Sequence, residues 1–201
     1  MKTDFDGAGN FYNKYESENP LVKVIVKKFF SDLESILLPI KGTIKSAFEI
    51  GCGEGYVTGY INQMGIPITG ADVSSRIIEI AKKNHPGIDF SVLSVYNLNT
   101  LSNRYDLVVA NEVFEHLSNP DGAIEEIKMI TRKYILISVP NEPYFRLTNI
   151  LRLKYLKDAG NTPGHVNHWS KRSFQFFLSI HGLKIKKIKC STLWTIVLCE
   201  K

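Results

Sequence analysis

Residues 49–55 read Glu-Ile-Gly-Cys-Gly-Glu-Gly, and this stretch decides the fold. Three glycines stand at alternate positions directly after an apolar run. Glycine weakens strand and helix alike, so such a cluster marks a backbone that turns sharply or lets something approach closely.

Outward from it, the chain alternates between two periods. Residues 46–51, SAFEIG, read as a buried strand and GYVTGYINQMG as the helix behind it. IPITGAD is a second strand, and SSRIIEIAKKN a second helix with Ser74 or Ser75 as N-cap. IDFSVLS, YDLVVAN and KYILISVP supply three more strands, with the helix DGAIEEIKMIT before the last. Ser170 caps the helix KRSFQFFLSI, which Gly182 ends. LKIKKIKCS and LWTIVLCEK then close the chain as an antiparallel hairpin. Upstream, PLVKVIVKKFFSDLESILLPI carries apolar residues at helical spacing between Pro20 and Pro39. Strands apolar throughout and separated by helices imply an α/β fold, a mostly parallel sheet covered on both faces. Ligands of such sheets bind at the carboxyl ends of the strands, where the glycine cluster lies.

The totals agree with one domain in the reducing cytoplasm. The chain has 201 residues, of which 44% are hydrophobic and 22% charged. It has no apolar run of bilayer length, no signal-peptide pattern and three cysteines without a paired spacing. The net charge of +5 owes much to lysines near the C-terminus. Their alternation in LKIKKIKC fits the wet face of an edge strand better than a nucleic-acid surface.

Gly51 and Gly53 let the chain leave the first strand tightly, and Gly55 starts the helix beside exposed backbone N–H groups. Asp72 ends the second strand 21 residues after Gly51, where a carboxylate accepts from two ribose hydroxyls. The pair points to a nucleoside cofactor. A dinucleotide fits poorly, because Tyr56 stands where that fingerprint needs Gly or Ala. Glu49, two residues before the turn, favours a cation over a pyrophosphate.

EIGCGEG, followed by GADVSS and YDLVVANEVFEHL, resembles the class I S-adenosylmethionine-dependent methyltransferases, over about residues 46–140. The resemblance implies a doubly wound Rossmann-like sheet of seven strands in the order 3-2-1-4-5-7-6, the last antiparallel. It implies S-adenosylmethionine as cofactor. Glu49, Gly51, Cys52, Gly53, Gly55 and Asn111 would hold its methionine part, Asp72 the ribose, and Val73 the adenine. Ser94 and Val95 stand where the family often has an acidic residue facing the adenine amino group.

NEVFEH, 111–116, marks the acceptor side. In a helical turn, Glu112, Glu115 and His116 share one face. His116 is the candidate general base for methyl transfer to oxygen. The same three groups with His165 make a candidate divalent-metal site, and His168 is the other histidine in reach. An ExxEH element with a later histidine resembles two branches: the ubiquinone-pathway O-methyltransferases and the small-RNA terminal 2′-O-methyltransferases. On the RNA branch's spacing, His165 is the match, followed by Trp169 and Ser170.

Residues 1–40 are expected to form an N-terminal helical cap, 46–140 the cofactor core, and 141–168 an insertion lining the acceptor site. Phe11, Tyr12 and Tyr15 would shield a sulfonium. Tyr144, Phe145 and Tyr155, with Arg146, Arg152 and Lys154, would meet the acceptor. The expected activity is O-methylation of a small or glycan-like acceptor. The alternatives are an RNA-terminal 2′-O-methyltransferase with a metal and a cofactor-binding protein without chemistry. A dehydrogenase ranks last.

Overall fold

A computed structural model describes residues 14–151, 155 and 158–201. Phe11, Tyr12, Arg152 and Lys154, singled out in the sequence, lie outside these residues.

Seven strands form one sheet: β1 (Ala47–Ile50), β2 (Ile68–Asp72), β3 (Phe90–Val92), β4 (Tyr105–Asn111), β5 (Thr131–Pro140), β6 (Lys184–Ser191) and β7 (Trp194–Glu200). Their order is β3-β2-β1-β4-β5-β7-β6. The first five run parallel, and β7 pairs antiparallel with both β5 and β6. Among the described residues six α-helices surround the sheet: α1 (Pro20–Leu37), α2 (Tyr56–Gln63), α3 (Ser75–Asn84), α4 (Pro120–Ile130), α5 (Tyr144–Leu151) and α6 (Lys171–Ile180). The class I order expected from the resemblance is therefore present.

Alternation along the central strands explains the layers. Val108 and Ala110 of β4 enter a core with Ile124 and Ile127 of α4 and Phe174 and Leu178 of α6. Leu107 and Val109 enter a second core with Leu33 of α1 and Val57 and Ile61 of α2. Successive side chains of a strand point to opposite faces, so a strand apolar at every position is sandwiched between helices. Each fully buried aliphatic or aromatic side chain contributes roughly 1.5–3 kcal/mol.

The caps follow the sequence. Asn19 and Pro20 open α1, Ser74 accepts from Ile77 N–H at α3, and Ser170 with Ser173 forms a capping box at α6. On the edge strand β6, Lys184 and Lys186 are exposed; Lys186 pairs with Glu200 at 3.2 Å, and Lys187 donates to the Ser35 carbonyl.

Two local expectations need correction. The third strand shrinks to three residues, because β3 pairs with β2 alone and its Val92 is 54% exposed. The NEVFEH stretch makes only a 3-10 turn, Phe114–His116, and Glu112 before it has φ +54°. No helical face joins Glu112 to Glu115.

Candidate active site

The glycine turn closes against the loop after β4. Gly51 has φ +71°, and a Cβ there would stand 2.4 Å from Val113 Cγ2. Only glycine allows both that backbone and that approach. Gly53 and Gly55 also have positive φ, and Gly55 is the left-handed N-cap of α2. The alternating glycines thus place a left-handed residue at every second position as the chain leaves β1.

Asp72 is nearly buried at the end of β2. Its Oδ2 accepts from Gly53 N–H at 3.1 Å and its Oδ1 from Ser74 N–H at 3.0 Å. Burial raises its proton affinity, and these backbone donors oppose the rise. Each carboxylate oxygen keeps a second lone pair for a ligand hydroxyl. Glu49 is 1% exposed, and Thr58 of α2 donates to it. Burial pushes its carboxyl up to about 8, with the Asp72 charge adding to the rise. A buried carboxyl of this kind ionises readily once a cation docks beside it.

Around this cradle, Cys52 is buried and its thiol is held protonated by burial, so it serves packing. Val73 is half-buried. Ser94 accepts from Tyr96 N–H at 3.3 Å, and Val95 is buried behind it. Asn111 takes a hydrogen bond from Ser138. Tyr15 stacks on Tyr56 with ring centroids 4.6 Å apart. Burial raises the Tyr15 phenol well above its usual range, with Glu112 and Glu49 adding and the Asn111 contact opposing. Tyr15, shortly before α1, therefore reaches the end of the sheet where the glycine turn lies.

The loop after β4 is clamped by a distant segment. Val166 and Asn167 N–H donate to the Glu115 carbonyl at 2.8 and 3.0 Å. Asn167 Nδ2 donates to the carbonyls of Phe114 and Leu117 at 3.0 and 2.6 Å. His116 Nδ1 lies 3.0 Å from the Gly164 carbonyl. A carbonyl only accepts, so Nδ1 carries a proton, and in the neutral ring the lone pair is on Nε2. His165 meets His116 edge to face at 4.9 Å and stacks on Phe145 at 5.7 Å. Burial, followed by the His116 and His168 charges, pushes His165 down to about 3, leaving it neutral.

Glu115 is 1% exposed, and among the described residues neither of its side-chain oxygens meets a donor. Burial holds its carboxyl well above the usual range, and the Glu112 charge adds to that. Ligand atoms of Glu115, His116 and His165 lie within 4.8 Å of one another. Glu112 stands apart from this group and pairs with Lys14. His168 turns to Asn161 at 2.9 Å, Trp169 packs on Phe174 and Phe177, and Ser170 caps α6. The sequence missed Lys14, Thr58 and Asn167. The first lies in a stretch without periodicity, and the other two act through contacts that only the fold creates.

A cavity of about 280 Å³ opens at the opposite end of the sheet, lined by Ser46, Pro67, Asp89 and Tyr105. It touches none of these groups. Among the described residues no helix is long and apolar enough to cross a membrane.

The sequence profile of a family described as a methyltransferase domain matches residues 25–188. Protein 235L of Invertebrate iridescent virus 6, whose name is that of an inferred methyltransferase, is 30% identical over 153 residues, 72% of this chain and 57% of that protein. The ubiquinone biosynthesis O-methyltransferase of Pelagibacter ubique is 30% identical over 124 residues, 60% of this chain and 48% of that enzyme. The chain thus spans about half the length of these curated relatives. The magnesium protoporphyrin IX methyltransferase of Synechocystis PCC 6803, solved with bound S-adenosylhomocysteine, superposes with a TM-score of 0.67 at 17% identity, covering 92% of this chain and 89% of that one. With its glycine turn, its strand order and a family profile spanning most of its length, this chain belongs to the methyltransferase-domain family, in the class I, S-adenosylmethionine-dependent branch.

Proposed function

We propose that this chain transfers the methyl group of S-adenosylmethionine to a hydroxyl oxygen of a small acceptor, with His116 as general base. The contact between Gly51 and Val113 carries the reading. It packs the glycine turn against the loop after β4, which goes on to carry Glu115 and His116 of the cluster with His165, and so supports a donor on one side and an acceptor on the other.

In the cradle, Asp72 takes the ribose hydroxyls. Glu49 and Asn111 face the methionine end, Cys52 and Gly53 line the turn, and Val73, Ser94 and Val95 surround the adenine. Glu49 gives up its proton when the cationic donor docks. On the other side, His116 Nε2 takes the hydroxyl proton as the oxygen attacks the methyl carbon. The carbon–sulfur bond breaks, and S-adenosylhomocysteine leaves as a neutral thioether. Alignment of oxygen, carbon and sulfur with water excluded supplies most of the rate. The wall formed by 164–167 on the 114–117 turn serves that exclusion. The chemistry fits a reducing, cytoplasmic setting, and the three cysteines are free thiols.

One observation favours a second reading with a divalent ion. The partnerless Glu115 carboxylate and two imidazoles at ligand spacing fit a cation, with His116 Nε2 and neutral His165 available as ligands. Such an ion would lower the pKa of an acceptor hydroxyl. This chain's own part is then to hold the three ligands and to orient His116 through Gly164.

The test is calorimetry with S-adenosylhomocysteine, followed by release of that product in the presence of phenols, catechols, glycans and a short RNA, each with and without chelator. Binding with turnover on a hydroxyl small molecule is the expected result. Turnover on RNA alone would move the assignment to a 2′-O-methyltransferase. Binding without turnover on any acceptor would favour a sensor.

A further inference from the structure

Lys14 lies in the aromatic stretch that the sequence marks as a shield for the donor, between Tyr12 and Tyr15, and its ammonium reaches across to Glu112 in the loop after β4. It pairs with Glu112 and lies 4.8 Å from the ring centroid of Trp194. Its side chain keeps only 15% of its exposure. The segment that carries it is anchored at several points. Tyr15 stacks on Tyr56, the Tyr56 hydroxyl donates to Glu16 at 2.5 Å, and Ser17 is buried. A lysine in this position is no solvated surface charge, because a largely buried ammonium needs a partner carboxylate.

The partner is Glu112, the one residue of the four-ligand set that stands outside the Glu115–His116–His165 group. Glu112 takes up a left-handed backbone, costly for a residue with a side chain, and meets Lys14 there. The ammonium also acts at longer range. It favours the ionised form of Glu115 and disfavours protonation of His165. A divalent ion among these residues would draw on the same carboxylates. It would also be repelled by the fixed positive charge of Lys14, which already acts on Glu115 and His165 in this poorly hydrated site.

We propose that Lys14 is the resident cation of the acceptor site: paired with Glu112 over the Trp194 ring, it occupies the charge balance that a divalent ion would need and so decides against a metal in this chain. The proposal rests on the reading of Glu115, His116 and His165 as the acceptor site. It makes Lys14 the residue that selects between the two readings above: with Lys14 seated, the acceptor proton goes to His116 unaided.

The test is a titration with Mn²⁺, following the free ion by electron paramagnetic resonance, on the full chain and on Lys14→Met and Lys14→Arg. Lys14→Met should bind Mn²⁺ at least about tenfold more tightly than the wild type, while Lys14→Arg, which keeps the charge, should stay at the wild-type level. Adding Glu115→Gln to Lys14→Met should abolish the gain. Equal affinity in wild type and Lys14→Met, absence of binding in both, or a gain that survives Glu115→Gln overturns the proposal. Trypsin cleavage after Lys14 in the wild type gives a second measure that needs no variant: saturating Mn²⁺ should speed it, and an unchanged rate with Mn²⁺ bound overturns the proposal. Calorimetry of the wild type with S-adenosylhomocysteine separates the two levels. Normal binding of that molecule with no effect of Lys14 on Mn²⁺ removes this proposal alone, whereas no binding removes the methyltransferase reading beneath it.

Discussion

The Asp72 carboxylate accepts the Gly53 amide hydrogen at 3.1 Å, which ties the end of β2 to the turn that leaves β1. The same carboxylate takes the Ser74 amide, at the start of α3. One side chain thus orders two loops and presents its remaining lone pairs to a ligand. Asp72→Ala should weaken S-adenosylhomocysteine binding by about 1.5–3 kcal/mol, the scale for hydrogen bonds to a charged group. Calorimetry reads it directly, and unchanged affinity would contradict the ribose assignment.

Gly51 is set by geometry on both counts, a φ of +71° and a Val113 methyl where a Cβ would go. Gly51→Ala should lower folding stability by roughly 1–3 kcal/mol, the cost of a strained backbone held by its surroundings. Gly42→Ala is the control, since nothing stands within 4 Å of a Cβ there. Urea unfolding of the two variants should separate them clearly. Similar midpoints would mean that the loop after β4 yields easily.

Much of this arrangement was legible because it is local. The turn at 51–55, the caps Ser74 and Ser170 and the doubly apolar strands β1, β4 and β5 each follow from neighbours within a few residues. The order of the sheet came from resemblance rather than periodicity, and the structure bears it out. What the sequence hid is contact at a distance. Asn167 grips carbonyls about fifty residues earlier, and Lys14 crosses to Glu112. No spacing rule encodes either pair. The helical face expected for Glu112, Glu115 and His116 failed for a related reason. The chain turns left-handed at Glu112, and three residues of 3-10 turn are too short to bring its side chain round.

Glu49 gives the protein a pH signature. Its carboxyl sits at about 8 in the folded chain, against an ordinary value near 4.5. Between those values the folded state holds a proton that the unfolded state has lost. Stability therefore falls as pH rises through that window, by at most about 1.4 kcal/mol per pH unit for this one group. Chemical unfolding across the window should show a shallower slope for Glu49→Gln than for the wild type. Parallel slopes would mean that Glu49 is already ionised in the empty protein.

His116 holds its proton on Nδ1 through Gly164, which leaves Nε2 as the basic atom. General-base catalysis typically contributes 10²–10⁴-fold. His116→Ala should cut turnover on a hydroxyl acceptor by about that range, with little change in S-adenosylhomocysteine affinity. Wild-type rates in His116→Ala would show that it only shapes the turn. Loss of cofactor binding of equal size would place it in the cradle instead.

Tyr15 offers a discrimination between donor and product that packing alone does not. Its ring lies on Tyr56, and its phenol meets Asn111 and feels the charge of Glu49, the two groups assigned to the methionine end of the cofactor, and of Glu112 beside them. An aromatic face attracts a cation by roughly 0.5–2 kcal/mol, and S-adenosylmethionine carries a sulfonium where S-adenosylhomocysteine has a neutral sulfur. Tyr15→Leu keeps apolar bulk and removes the ring. It should weaken S-adenosylmethionine by about that amount and leave S-adenosylhomocysteine nearly unchanged, a difference that competition calorimetry resolves. Equal losses for both ligands would assign Tyr15 to closing the pocket, with no preference for the charged sulfur. Deleting residues 1–18 should reproduce the same bias, because it removes Tyr15 along with the rest of the segment.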